Sequence, residues 1–214
     1  MALKFAVLLL ALAPLMSARF ATTPISQLRN HVEPKLSKRD VNPATLYPAY
    51  NLQVPVDHFH NESKYAPHSD GKFPLRYWFD GSYYKPGGPV IVLESGETSG
   101  AGRLPFLQKG IIAQIAQATN GVAVVLEHRY YGTSMPTSDL STKNLRFLTT
   151  EQALADTAYF ANNVVFEGLE KYKLTAPHAP WIAYGGSYAG AFVAFLRVLY
   201  PDTFFGKTML QLKV

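Results

Sequence analysis

Residues 181–192 read Trp-Ile-Ala-Tyr-Gly-Gly-Ser-Tyr-Ala-Gly-Ala-Phe, and the way this stretch must bend decides the fold. Four strand-forming residues, Trp181 to Tyr184, run into Gly185-Gly186, then Ser187, then small residues that open a helical run. A strand that becomes a helix within so few residues passes close to itself, so the neighbours of the bend must have almost no side chain. The residue at the apex is lifted clear of its own backbone. A serine hydroxyl there can be aimed at a base, and the first amides of the helix lie beside it to hold developing negative charge. This is the pattern of a nucleophile elbow. Its G-x-S-x-G form is imperfect, because Ala189 stands where glycine is usual and Gly190 arrives one residue later. Alanine is the next smallest residue, so the steric argument survives. Taken alone, the same residues also read as a Gly-rich turn whose serine only caps the helix.

Outward from the bend, Val90 to Leu93 and Val122 to Leu126 are continuous apolar runs of strand length, and Leu75 to Phe79 is a further strand candidate. Lys85-Pro-Gly-Gly-Pro89 is a turn. Leu104, Leu107, Ile111, Ile115 and Ala118 fall at helical spacing and predict one amphipathic helix. Thr149-Thr-Glu-Gln152 has the form of a capping box, with Leu154, Ala158, Ala161 and Val165 along one face behind it. Pro201 limits the helix that follows the elbow. Strands apolar on both faces, alternating with helices, indicate a mostly parallel sheet covered on both sides. With the elbow, this predicts an α/β-hydrolase fold.

The rest of the chain sets bounds. Its 214 residues are 48% apolar and 16% charged, the composition of a globular protein. The net charge of +5 comes from scattered Lys and Arg without a dense basic run, so no nucleic-acid partner is implied. Cysteine is absent. Lys4, the apolar Phe5 to Leu15 and the small Ser17-Ala18 predict a secretory signal peptide over 1–18. Residues 19–46 read as a linker or pro-segment, in which Lys38-Arg39 is either a dibasic processing site or two solvated charges, and 47–214 as the domain. No later segment reaches membrane-spanning length. Asn61-Glu62-Ser63 is a glycosylation sequon. No cofactor and no metal site is read: His58 and His60 lack carboxylate or cysteine partners on a common element and are taken as loop histidines.

Several motifs recur in order: Val56-Asp57-His58-Phe59, Phe73 with Arg76-Tyr77-Trp78, Glu127-His-Arg-Tyr-Tyr-Gly132, Leu148 to Asp156, Gly185 to Gly190, and Arg197 to Pro201. In these the chain resembles the serine peptidases grouped with lysosomal Pro-Xaa carboxypeptidase, dipeptidyl peptidase II and thymus-specific serine protease, above all their secreted fungal members, over about Leu52 to Gly206. The resemblance implies a secreted, or vacuolar or lysosomal, exopeptidase that acts on proline-containing peptides. Ser187 would be the acylated nucleophile and the Tyr188 amide half of the oxyanion hole. The other half would come from Ser95-Gly96-Glu97, with Gly96 as donor. Glu97 corresponds to a family glutamate that would either recognise a substrate terminus or serve the structure. An esterase or lipase on the same scaffold, or a non-catalytic binding module, are the alternatives.

Glu127-His128-Arg129 is tempting as a catalytic cluster, yet the partners in this fold follow the serine in the chain. A buried charge network bracing the site is the reading adopted, in which desolvated Glu127 and Arg129 must be paired. After Ser187 there is no histidine and a single carboxylate, Asp202, read as solvating a turn. In the family the helical cap and the catalytic aspartate and histidine lie further on, and the tail Lys207 to Val214 departs from the usual pattern. The expectation is therefore an N-terminal part of the fold without cap and last strands. The strand at Trp181 to Tyr184 would have an unpaired edge, and the chain alone would be inactive and poorly folded.

Overall fold

The computed structural model describes residues 41–210, with side chains through 205. The signal peptide read at 1–18, the Lys38-Arg39 pair and the linker up to residue 40 lie outside the described residues. Six strands form one sheet: β1 (Tyr50–Pro55), β2 (Lys72–Asp80), β3 (Val90–Glu94), β4 (Val122–Leu126), β5 (Trp181–Gly186) and β6 (Gly206–Leu210), in the spatial order β1-β2-β4-β3-β5-β6. β1 pairs antiparallel with β2 and β2 antiparallel with β4, whereas β4, β3, β5 and β6 run parallel. Three longer helices accompany them: α1 (Ile111–Thr119), α2 (Thr150–Asn163) and α3 (Tyr188–Leu199). Among the described residues no helix is long and apolar enough to cross a membrane.

Alternation along the central strands builds two cores. Ile91, Leu93, Ala123, Val125 and Tyr184 belong to the same cluster as Ile112 and Ala116 of α1. Val90, Val92, Val122, Val124, Trp181 and Ala183 join Leu154, Phe160 and Ala161 of α2 and Phe192, Val193 and Leu196 of α3. Both faces of β3 and β4 are buried, which is why those strands are apolar throughout. The helix placement follows from handedness. The chain steps from β3 to β4 in one direction, then returns past β3 to β5. Right-handed crossovers in opposite directions must lie on opposite faces, and α1 and α2 do. A crevice consequently opens beyond the carboxyl ends of β3 and β5, where the chain departs to opposite sides.

The structure corrects four details. The helix expected from Leu104 to Ala118 is broken: a 3-10 turn (Gly100–Arg103) and one α-turn (Pro105–Gln108) precede α1. Gly110 interrupts them in extended conformation, at a site where a Cβ would lie 2.6 Å from Phe106 Cα. Val165 lies past the end of α2 and is exposed. Half of the capping box forms, Thr149 Oγ1 accepting from Gln152 N–H at 3.3 Å, while the Gln152 side chain turns away to Asp57 and His58. The edge of β5 is covered. Phe204, fully buried, meets Trp181 edge-on at 6.2 Å and brings the chain back so that β6 pairs from Ile182↔Gly206 to Gly186↔Leu210. Asp202 sits exposed in that turn.

Phe160 packs edge-on against both Tyr77 (4.9 Å) and Trp181 (5.9 Å) and is fully buried. Phe160→Ala is expected to lower unfolding free energy by about 3–5 kcal/mol in urea titrations, and Val165→Ala by no more than about 0.5 kcal/mol. Equal effects would contradict the placement of the core.

Candidate active site

β5 delivers Gly185-Gly186 to the bend, and α3 leaves it at Tyr188. Ser187 lies between them at φ 55, ψ −127, backbone space closed to most L-residues and typically costing about 1–3 kcal/mol. The bend is tight because a Cβ on Gly185 would collide with the Ala189 carbonyl. Ser187 is exposed and its side chain makes no capping hydrogen bond, so the reading of this serine as a helix cap fails. Its carbonyl instead accepts from Gly190 N–H at 2.9 Å and Ala191 N–H at 3.2 Å. The Tyr188 N–H belongs to the first turn of α3, whose amides have no acceptor within the helix.

A cleft of about 350 Å³ opens at the crevice and is lined by residues that include Glu94, Gly96, Glu97, Arg103, Tyr184 and Ser187. Gly96 is buried with φ 70, and a Cβ there would touch the Ala189 methyl at 3.6 Å, so the loop after β3 runs alongside the start of α3. Glu97 is exposed on the cleft wall. Among the described residues Arg103 is the one cation in the lining, its Nε donating to the Ser95 carbonyl at 3.3 Å.

Beside the cleft lie two buried charge networks. Glu127 and Arg129, both desolvated, pair separately. Glu127 receives Arg76 through Nη2 (2.7 Å) and Nε (3.0 Å), the Gly100 and Thr133 amides (2.8 and 3.0 Å), and the Ser134 hydroxyl (2.9 Å). Burial would raise its pKa, but Arg76 and these donors hold the carboxyl below the usual range. Arg129 is wholly buried. It places Nε and Nη2 on the two oxygens of Asp156 (2.6 and 2.7 Å) and its remaining N–H groups on the carbonyls of Val56, Phe147 and Pro55. All five guanidinium donors are used. His58 Nε2 adds a 2.8 Å contact to Asp156. His128 Nδ1 donates to the Arg129 carbonyl (2.7 Å), which leaves Nε2 to accept from the Tyr188 hydroxyl at 3.3 Å. Burial holds His128 below the ordinary histidine range, so the neutral ring is favoured.

Sequence reasoning missed Glu94. It ends β3 directly after the apolar run, where an acid reads as the first exposed residue. It is instead buried, with Oε1 lacking a hydrogen-bond partner among the described residues. Burial pushes its carboxyl up to about 8; Thr157 opposes the rise and the Asp156 charge adds to it. Arg76 and Asp156 were visible only as members of motifs, since nothing in their spacing names their partners. Asn61 is exposed in a turn.

The profile of the serine carboxypeptidase S28 family matches residues 54–208. The "Probable extracellular serine carboxypeptidase" of Arthroderma benhamiae is 60% identical over 205 residues, which cover 95% of this chain and 29% of that protein. The "Prolyl carboxy peptidase like protein 5" of Caenorhabditis elegans is 35% identical over 154 residues, covering 70% of this chain and 28% of that one. The human "Thymus-specific serine protease" is 35% identical over 137 residues, 62% of this chain and 25% of that one. The chain thus spans under a third of the length of these relatives.

Glu94 generates a pH test. The unfolded chain releases this proton near 4.5, whereas the folded protein keeps it to about 8. Over that interval the unfolded state binds fewer protons, so this residue makes stability fall as pH rises and then level off. Glu94→Gln, neutral and of the same shape, is expected to gain on the wild type steadily from pH 5 to pH 8 in urea midpoints, by about 3 kcal/mol at pH 7. A difference that stays constant with pH would contradict the burial of this carboxyl in neutral form.

Proposed function

The chain belongs to the serine carboxypeptidase S28 family, and from that premise we propose that it carries the nucleophile half of a secreted serine-type exopeptidase acting beside proline. The observation that carries the reading is the exposed Ser187 at its strained bend, beside a cleft at the β3–β5 crevice. Ser187 Oγ attacks the scissile carbonyl carbon and its proton passes to an imidazole. The imidazolium returns that proton to the nitrogen as the C–N bond breaks and the amine leaves; the same imidazole then takes a proton from water, which attacks the acyl carbon, and gives it to Ser187 Oγ as the acid departs. Oxyanion charge is held by the Tyr188 N–H and, from the loop after β3, the Gly96 N–H. Glu127, His128 and Arg129 act as structure. His128 engages the Tyr188 hydroxyl and thereby seats the first residue of α3.

The imidazole and its carboxylate are assigned to chain beyond residue 214. No histidine follows Ser187 in these residues, and the matched stretch is 29% of the fungal relative. Alone, the 214 residues are inactive. Phe195, Val198 and Leu199, at i, i+3 and i+4 on α3, are exposed, which supports further chain packing here, since apolar helix faces are normally covered. Export to the extracellular space is supported by the printed name of that relative and by the exposed setting of Asn61, the proposed glycosylation site. The name of the nematode relative supports proline as the recognised residue. Arg103, the single cation lining the cleft among the described residues, favours capture of a free carboxylate and hence release of a C-terminal residue.

A chimera of residues 1–206 with the C-terminal part of the Arthroderma relative tests this. It is expected to release C-terminal residues after proline, with Ser187→Ala lowering kcat/KM at least about 10³-fold. The 214-residue chain is expected to react with a fluorophosphonate slower by a similar factor. Equal activity in the Ser187→Ala chimera would overturn the nucleophile assignment, and ordinary labelling of the isolated chain at Ser187 would overturn its inactivity.

A further inference from the structure

The fold assembles a group of side chains that the peptidase reading leaves unused. Asp57, His60 and His68 come from the loop between β1 and β2, and none of them lines the cleft. One ligating atom from each lies within 4.8 Å of the others. Spacing along the chain gave no sign of this, because His58, the apparent partner of His60, turns instead to Asp156.

We propose that Asp57, His60 and His68 bind one divalent transition-metal ion of the zinc class. The donor set of two imidazoles and one carboxylate suits zinc and not magnesium or calcium, which take oxygen ligands. The carboxylate is already positioned. Its side chain is fully buried; Oδ1 accepts from the Phe59 amide (2.9 Å) and from Gln152 Nε2 (2.7 Å), and Oδ2 faces His68 Nδ1 at 2.7 Å. Such hydrogen bonding behind a ligating carboxylate is the usual support of a metal site.

The two imidazoles stand together at the surface. The His60 and His68 rings stack with centroids 5.6 Å apart and an interplanar angle of 30°. Ligand atoms around tetrahedral zinc stand about 3.3 Å from one another, so closing the site needs only side-chain movement, above all of the exposed His60. Asp70, with Oδ1 at 3.8 Å from His60 Nδ1, or a water completes the fourth position. Through Gln152 the ion would tie this loop to α2, the helix whose Asp156 holds Arg129. The proposal stands apart from the peptidase assignment.

Equilibrium dialysis of the untagged 214-residue chain against zinc chloride tests it, with cobalt absorption as the second readout. One ion per chain is expected. His60→Ala and His68→Ala should each weaken binding at least about 10-fold, while His178→Ala, at an exposed histidine elsewhere, leaves it unchanged. Visible cobalt bands of tetrahedral strength should appear in the wild type and vanish in both variants. His60→Ala carries the test if loss of the Asp57–His68 contact disturbs folding, because His60 makes no bond to Asp57 in this structure. Binding that is absent, or equally weak in the wild type and all three variants, would overturn the site and leave Asp57–His68 as a structural contact only.

Discussion

The close passage of Gly185 against the Ala189 carbonyl governs the rest of this site. It obliges the chain to leave β5 and begin α3 with no intervening loop, so the residue between must take a conformation other residues avoid. That residue is Ser187. A hydroxyl held this way cannot fold back to cap its own helix, which leaves it facing the solvent side of the crevice. The sheet order then matters. Because β4 and β6 lie on opposite sides of the β3–β5 pair, the loop after β3 and the start of α3 face each other there, with Gly96 near Ala189.

Around that bend the protein uses charge as scaffolding. Arg129 and Glu127 are each surrounded by enough partners that neither is left with an unmet charge, at the cost of recruiting backbone and side chains from β1, β2, the loop before α2, and α2. Removing one member of such a pair strands the other, typically at about 3–5 kcal/mol. Glu94 follows the opposite logic. With Oε1 unpartnered among the described residues, it is accommodated by keeping its proton. Glu94 and Glu127 thus line one small space together with Asp156, and their partners push the two glutamate carboxyls in opposite directions.

Much of this was legible in the residues. Val90–Glu94 and Val122–Leu126 announce themselves because strands buried on both faces can hold only apolar side chains. The elbow announces itself because its geometry tolerates so few residue types. β1 was not resolved as a strand: Tyr-Asn-Leu-Gln-Val-Pro sits at the sheet edge, half wet, and alternates without a continuous apolar run. α1 was read too long because its periodicity persists across Gly110, where close approach of Phe106 ends the helix. Partner choice was illegible altogether. Adjacent charges at 127 and 129 invite pairing with each other in sequence, whereas the fold sends one to Arg76 and the other to Asp156.

Residue 187 is held under backbone strain that serves its hydroxyl. The most direct measurement is the difference in unfolding free energy between Ser187→Gly and Ser187→Ala, neither of which retains the hydroxyl. Glycine adopts positive φ without penalty, so the glycine variant is expected to be more stable by about 1–2 kcal/mol despite its larger unfolded-state entropy. An alanine variant as stable as the glycine variant, or more so, would show that the bend is unstrained and that no backbone strain holds this hydroxyl in place.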